Sequence, residues 1–252
     1  MTDIEAAPGD VAKMSRIRGI IAQRMRDSLQ ATAQLTAMVE ADLSGVMAAR
    51  REYGDGFKRR HGASLSPFVV VAAAAVQTLA DHPKLNSVID VAAGTITHFP
   101  FVNLGVAVDT PDGLLVPNVK NADSLDIPGL ATGIADLATR ARARRLKPTD
   151  IEGGTFTVTN TGSRGSMLDT PILNHPEVGI LAVGRAVRRP AVRKTLEGEA
   201  IVPADMAFLC LTYDHQLVDG ADAGRFLDDL RGLLEAPDLL TAQTLGLADD
   251  DR

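Results

Sequence analysis

Residues 206–221 read Met-Ala-Phe-Leu-Cys-Leu-Thr-Tyr-Asp-His-Gln-Leu-Val-Asp-Gly-Ala. The apolar run Met206 to Tyr213 predicts a strand that carries Asp214 and His215 to its end. Gly220 opens a helix, predicted to about Leu234, whose first turn contains Asp222. A histidine at a strand–helix junction can be packed rigidly and still reach a cleft. Asp219, four residues on, is placed to organise the loop or to fix the imidazole tautomer. Local sequence leaves two readings of His215 open: a general base, or a structural residue that ties down the loop.

Working outward, Ser15 precedes Ile17, Ile20, Ile21 and Met25, which are spaced as one apolar helix face running to about Leu29. A strand is expected over Leu35 to Leu43, then a helix from Ser44 to about Arg60, weakened by Gly54 and Gly56. Ser66-Pro67 is a cap followed by a first-turn proline, and the helix it opens is apolar nearly all round, hence buried. Asn103 to Asp109 and Leu114 to Val119 flank Thr110-Pro-Asp-Gly113 and read as a hairpin. A long helix is expected from Ile127 to Arg145, and strands over Thr155 to Thr161 and Gly179 to Val187. Strands and helices mix irregularly, so the fold class is α/β or α+β with a mixed sheet. Nothing in composition divides the 252 residues into two domains.

The formal net charge of -6, with no long basic block, argues against a nucleic-acid groove. The basic cluster Arg140, Arg142, Arg144, Arg145 and Lys147 closes a helix, where cations complement the dipole; the alternative is a contact for an anionic ligand. The single cysteine, Cys210, excludes an intramolecular disulfide and sits in a strand pattern, so it reads as core. No GxGxxG, Walker-type loop, nucleophile elbow or HExxH is present, and the five histidines lack metal-ligand spacing. The longest apolar run, Phe68 to Val76, is too short for a membrane span, and the expected location is cytoplasmic.

His215 to Gly220 (HQLVDG) resembles the HxxxDG signature of dihydrolipoyl acyltransferases and chloramphenicol acetyltransferases. Four further stretches resemble the catalytic domain of the former: Arg18 to Met25 (RGIIAQRM), Gly113 to Ala122 (GLLVPNVKNA), Gly153 to Ser163 (GGTFTVTNTGS) and Thr170 to Gly184 (TPILNHPEVGILAVG). All five occur in family order. The resemblance implies a two-layer, chloramphenicol acetyltransferase-like sandwich with a mixed sheet. It divides the chain into a flexible leader (1–13), a catalytic domain (14–237) and a C-terminal tail (238–252).

By that resemblance His215 is the general base and Thr159 the hydroxyl that stabilises an oxyanion. Asp219 supports the loop by pairing with an arginine of the first helix, Arg18 first, with Arg16 and Arg24 as competitors. Arg18, Lys120 and Asn160 are the candidate substrate-binding residues, with no metal. The family usually has arginine where Gln216 stands, which puts the local ion pairing in doubt rather than the chemistry. The implied reaction moves an acyl group, acetyl first, between coenzyme A and a dihydrolipoyl thiol borne on another domain or protein. A thiol of pKa about 8.5 is only a few per cent ionised at neutral pH, so a base is required. Implied partners are two further copies in a trimer, a lipoyl-bearing domain and the dehydrogenase components of a 2-oxo acid dehydrogenase complex. Some members assemble trimers into a cube through their C-termini, and the acidic end of this chain disfavours that. Two alternatives remain: a stand-alone coenzyme A-dependent transferase with another acceptor, and a silent scaffold.

Overall fold

A computed structural model describes residues 11–111, 113–195, 198–236 and 240–248. Most of the expected leader, Asp112 of the expected turn, and parts of the expected tail lie outside the described residues. Helix α1 (Arg16–Ala31) starts where Ser15 accepts a hydrogen bond from the Arg18 amide at 3.2 Å. Strand β1 (Gln34–Asp42) and helices α2 (Ser44–His61) and α3 (Pro67–Leu79) follow. Ser66 caps α3 through the Val69 amide at 3.2 Å, and nine of its residues are buried, as an all-round apolar helix requires.

The expected hairpin is broken in two. Strands β4 (Leu104–Val106) and β7 (Asn118–Val119) join the main sheet, whereas β5 (Val108–Thr110) and β6 (Gly113–Leu115) pair only with each other. The break falls after Val106, whose amide still donates to Pro117 O at 2.9 Å while Pro117 has no amide to return; the next amide, Ala107, continues the ladder to β8 at Val158 O, 3.2 Å away. An unexpected hairpin, β2 (Ser87–Asp90) and β3 (Thr95–His98), lies earlier in the chain. Helices α4 (Ile127–Arg142) and α5 (Pro148–Ile151), strands β8 (Phe156–Asn160), β9 (Gly179–Val183), β10 (Val187–Thr195) and β11 (Gly198–Asp214), and helix α6 (Gly220–Glu235) complete the order.

The main sheet runs β1-β11-β9-β8-β4-β7, with β10 pairing the first half of β11. Strands β4, β8 and β9 are mutually parallel and the other pairings antiparallel, so the sheet is mixed. Helices α3, α4 and α6 share one hydrophobic core with it; Phe226 of α6 lies 5.9 Å from Phe156 of β8. On the opposite face the segment after β8 covers the centre, with the Arg185 amide donating to Ser166 O at 2.8 Å. Consequently β9 is buried throughout, which is why its sequence is a plain apolar run. Cys210 is fully buried, and burial pushes its thiol up, as expected of a core residue.

The ribbon formed by β10 and the first half of β11 extends beyond the core. Expectation ended the preceding strand at Val187 and began the next at Met206, and missed this ribbon. Apart from Ala204 near its base, its described apolar residues are largely uncovered and give no signal: Val192 is 61% and Ile201 75% exposed.

Candidate active site

Strand β11 runs into the core and ends at Asp214, which is 1% exposed and acts as the anchor of the following turn. Its carboxylate accepts from the Ala33 amide at 3.0 Å, the Gln216 amide at 3.1 Å and the Gln216 side chain at 3.2 Å. Its carbonyl accepts from Leu217 N and Val218 N. Gln216 reaches on to Ala31 O at 2.8 Å, so a neutral amide ties this turn to the end of α1. The His215 amide donates to Ala33 O at 2.8 Å. The backbone of His215 is therefore fixed while its side chain stays 39% exposed.

Asp219 Oδ1 stands 3.9 Å from His215 Nδ1, an electrostatic contact rather than a hydrogen bond. Nδ1 is thus the ring nitrogen turned toward Asp219. The expected Arg18–Asp219 pair is not formed: the Arg18 guanidinium packs over Gly113 of the β5–β6 hairpin, and Asp219 is 72% exposed. The reason is local. Asp219 is the residue before α6, and its amide donates to Asp222 Oδ2 at 3.3 Å, which orients the junction without an arginine. Asp222 in turn holds Lys84 at 2.7 Å and Arg225 at 2.5 Å, and chiefly the Lys84 contact keeps its carboxyl below the usual range.

Thr159 lies near the end of β8, half-buried, and its hydroxyl forms no hydrogen bond among the described residues. It lines a cleft of about 720 Å³ together with Asn160, Phe68, Asp109, Arg142 and Arg164. Asn160 Oδ1 accepts from the Ser163 amide at 3.0 Å and shapes the cleft wall. Lys120 does not belong here: its ammonium caps the Glu152 carbonyl at the far edge of the sheet. Four strand spacings, about 19 Å, separate the edge strand β7 from β11.

Expectation missed Arg142 and Arg164 as cleft residues. Arg142 belongs to the basic cluster, which divides: Arg140 is held by Asp136 and Asp150, while Arg142 faces the cleft. Arg164 pairs with Asp109 across the mouth.

His215 and Thr159 are not brought together within one chain. Thr159 is level with Ala182, at the end of β9, whereas the Asp214 amide reaches Val178 O, before its start. Four residues of strand separate these levels, about 13 Å, and His215 lies farther still.

Residues 7–242 match the family model described as 2-oxoacid dehydrogenases acyltransferase (catalytic domain). The chain belongs to this family. It is 44% identical over 227 residues to the dihydrolipoyllysine-residue acetyltransferase component of the pyruvate dehydrogenase complex of Corynebacterium glutamicum, spanning 90% of this chain and 34% of that protein. It is 36% identical over 228 residues to the succinyltransferase component of the 2-oxoglutarate dehydrogenase complex of Rickettsia bellii, 90% of this chain and 56% of that one. The chain thus spans about a third to a half of these curated relatives.

Among solved structures, the dihydrolipoamide acetyltransferase of Azotobacter vinelandii superposes with a TM-score of 0.87 at 31% identity, covering 97% and 98% of the two chains. Work on that protein names a serine, a histidine and an asparagine in its catalytic mechanism. The cubic core of a pyruvate dehydrogenase multienzyme complex matches equally, with a TM-score of 0.87 at 31% identity over 98% of each chain. Chloramphenicol acetyltransferase shares the fold at 15% identity and a TM-score of 0.51, over 87% of this chain and 94% of that one. Among the described residues no helix is long and apolar enough to cross a membrane.

Proposed function

We propose that this chain transfers an acyl group, acetyl first, between coenzyme A and a dihydrolipoyl thiol, at a site completed by a second copy of itself. The observation that carries this reading is the separation of His215 and Thr159 to opposite ends of one sheet, each with its side chain open. A closed homotrimer lets the His215 end of one copy face the Thr159 end of its neighbour at every interface. The Azotobacter vinelandii protein's catalytic histidine and asparagine stand four positions apart, the spacing of His215 and Asp219.

In this reading a thiol docks against His215 Nε2, which takes its proton as the sulfur attacks the thioester carbonyl. General-base help of this kind contributes on the order of 10²–10⁴. The carbonyl electrons move onto oxygen, where the neighbour's Thr159 hydroxyl donates a hydrogen bond. The intermediate collapses, the carbon–sulfur bond of the original thioester breaks, and the imidazolium returns the proton to the departing thiolate. Asp219, close to Nδ1, favours the tautomer this requires. Arg142 offers a cation to an anionic substrate at the cleft, whose wall the Arg164–Asp109 pair and Asn160 shape; Arg18 and Lys120 drop to structural roles.

The catalytic unit is proposed as residues 14–237, with a lipoyl-bearing domain and the dehydrogenase components as partners. A trimer is preferred to a cube. Leu245 is fully buried against its own chain, and its carbonyl lies 3.0 Å from His61 Nε2, so this stretch is already engaged.

Turnover of acetyl-coenzyme A with free dihydrolipoamide tests the reading. His215→Ala should lower kcat at least about 10²-fold. Undiminished turnover in that variant would end the proposal. Activity with acyl-coenzyme A but none with dihydrolipoamide would favour a different acceptor.

A further inference from the structure

We propose that Glu177 is a positioning residue held as the neutral acid, whose proton completes a buried polar cluster behind the His215 turn. This rests on the acyl-transfer reading only where it concerns catalysis. Glu177 is 1% exposed, in the loop that leads into β9. Its Oε2 accepts from the Thr157 hydroxyl at 2.5 Å and its Oε1 from Asn174 Nδ2 at 2.7 Å.

Beside it, Asn118 spends its amide hydrogens on Ile151 O at 2.8 Å and Glu152 O at 3.4 Å. That leaves Asn118 Oδ1 buried and, among the described residues, without a partner. Both oxygens crowd one point: a Cβ built on Gly154 would stand 2.5 Å from Asn118 Oδ1 and 2.6 Å from Glu177 Oε1. A Cβ on Gly105 would similarly meet Thr157 Oγ1 and Asn118 Oδ1. Glycine at 105 and 154 keeps the space open for this polar contact.

Two buried acceptors side by side repel, and a carboxylate has no hydrogen to offer. A carboxylic acid does. Among the described residues, the groups found against Glu177 are Thr157 from β8, Asn118 from β7, Asn174 from its own loop and the Gly154 backbone, none of them charged. Lys120, whose ammonium lies beside Gly153, is committed to the Glu152 carbonyl. Burial accordingly pushes the Glu177 carboxyl up to about 7, against the pull of the Thr157 and Asn174 hydrogen bonds.

The cluster is linked to the catalytic turn by short steps. Next to Glu177, Val178 O accepts the Asp214 amide at 3.0 Å. At the other end of the same loop Leu173 O accepts from Ser28 at 2.7 Å, and the Leu173 amide donates to Gln34 at 3.1 Å. These clamps hold the loop between the cluster and the shelf on which His215 stands.

The experiment compares full-length wild type with Glu177→Gln, Glu177→Asp and Glu177→Ala. Infrared spectra at pH 6 should show a protonated carboxyl band in wild type that Glu177→Gln lacks. The folded-state carboxyl lies above its ordinary value of 4.5, so folding holds the proton more tightly than the unfolded chain does. Wild type should therefore lose stability relative to Glu177→Gln as pH rises from about 4.5 to about 7, with the difference level above that. The relative fall in Tm should be about 5–10 °C.

In the acyl-transfer assay Glu177→Gln should stay within about twofold of wild type, while the Ala and Asp variants lose roughly tenfold in kcat with little change in KM. Absence of the band, or a Tm difference that does not vary with pH, would overturn the neutral acid. A folded Glu177→Ala or Glu177→Asp with wild-type kcat would overturn the positioning role. The infrared and thermal results do not depend on turnover, so an inactive wild type that shows the band counts against the proposed function alone.

Discussion

The two ends of the central sheet differ in how they present their chemistry. At the His215 end every backbone step from Asp214 to Val218 is hydrogen bonded, and the imidazole projects from a rigid shelf. At the Thr159 end the hydroxyl is unengaged and faces a cleft of about 720 Å³ lined by two arginines. One end holds an exposed imidazole on a fixed turn, and the other a cleft lined by a hydroxyl and, among the described residues, no histidine. A strand holds its two ends apart by its length, so a single chain cannot merge them. Joining unlike ends across a subunit boundary achieves this without bending the sheet.

The sharpest way to break this comparison is to inactivate each end in a different chain. His215→Ala and Thr159→Ala homotrimers should each fall at least about 10²-fold in kcat. Unfolding and refolding them together at equal concentration should restore about one quarter of the wild-type sites, because random mixing pairs an intact base with an intact donor at that frequency. Recovery no greater than the sum of the separate variants would mean that each chain works alone, and the division between ends would lose its meaning.

Next in size, Thr159→Ala taken alone should lower kcat by about 10²-fold or more and leave KM nearly unchanged, since its hydrogen bond forms mainly in the transition state. A loss expressed in KM would move Thr159 from the reacting oxygen to substrate binding. The cleft would then be a docking surface and nothing more.

How legible each end was in the sequence follows from the same contrast. The His215 end is built from consecutive residues: an apolar strand, a polar turn and a capped helix, so Met206 to Ala221 discloses it almost completely. The Thr159 end is assembled from β5, α3, α4, β8 and the segment after β8, and no local pattern joins Phe68, Arg142 and Arg164. Arg142 was visible as one member of a basic cluster, but only the helix's rotation distinguishes it from Arg140. Lys120 and Arg18 show the reverse error. Each lies in a stretch that resembles the family, yet Lys120 caps the Glu152 carbonyl and Arg18 packs over Gly113 of the β5–β6 hairpin. The β10–β11 ribbon went unread because burial, the physical source of strand periodicity, is missing there. The pattern at 103–119 discloses a reversal, while the entry of its outer strands into the main sheet depends on β8, far along the chain.

The smallest expected effect concerns how firmly α6 sets the His215 end. Asp222 accepts the Asp219 amide and draws in Lys84 and Arg225, and its carboxyl titrates below the ordinary value of 3.8. Its contribution to stability is therefore present above that value and is lost as pH falls through the lower folded one. Asp222→Ala should cost about 1 kcal/mol near neutral pH, a difference that shrinks under acid and is read from urea unfolding at both pH values. Turnover should change less than about threefold, because the His215 backbone is held by Ala33 and Asp214 independently of the helix cap. A tenfold fall in kcat would show instead that the cap, through Asp219, is what orients the imidazole. The rigid shelf would then extend from the strand end into the first turn of α6.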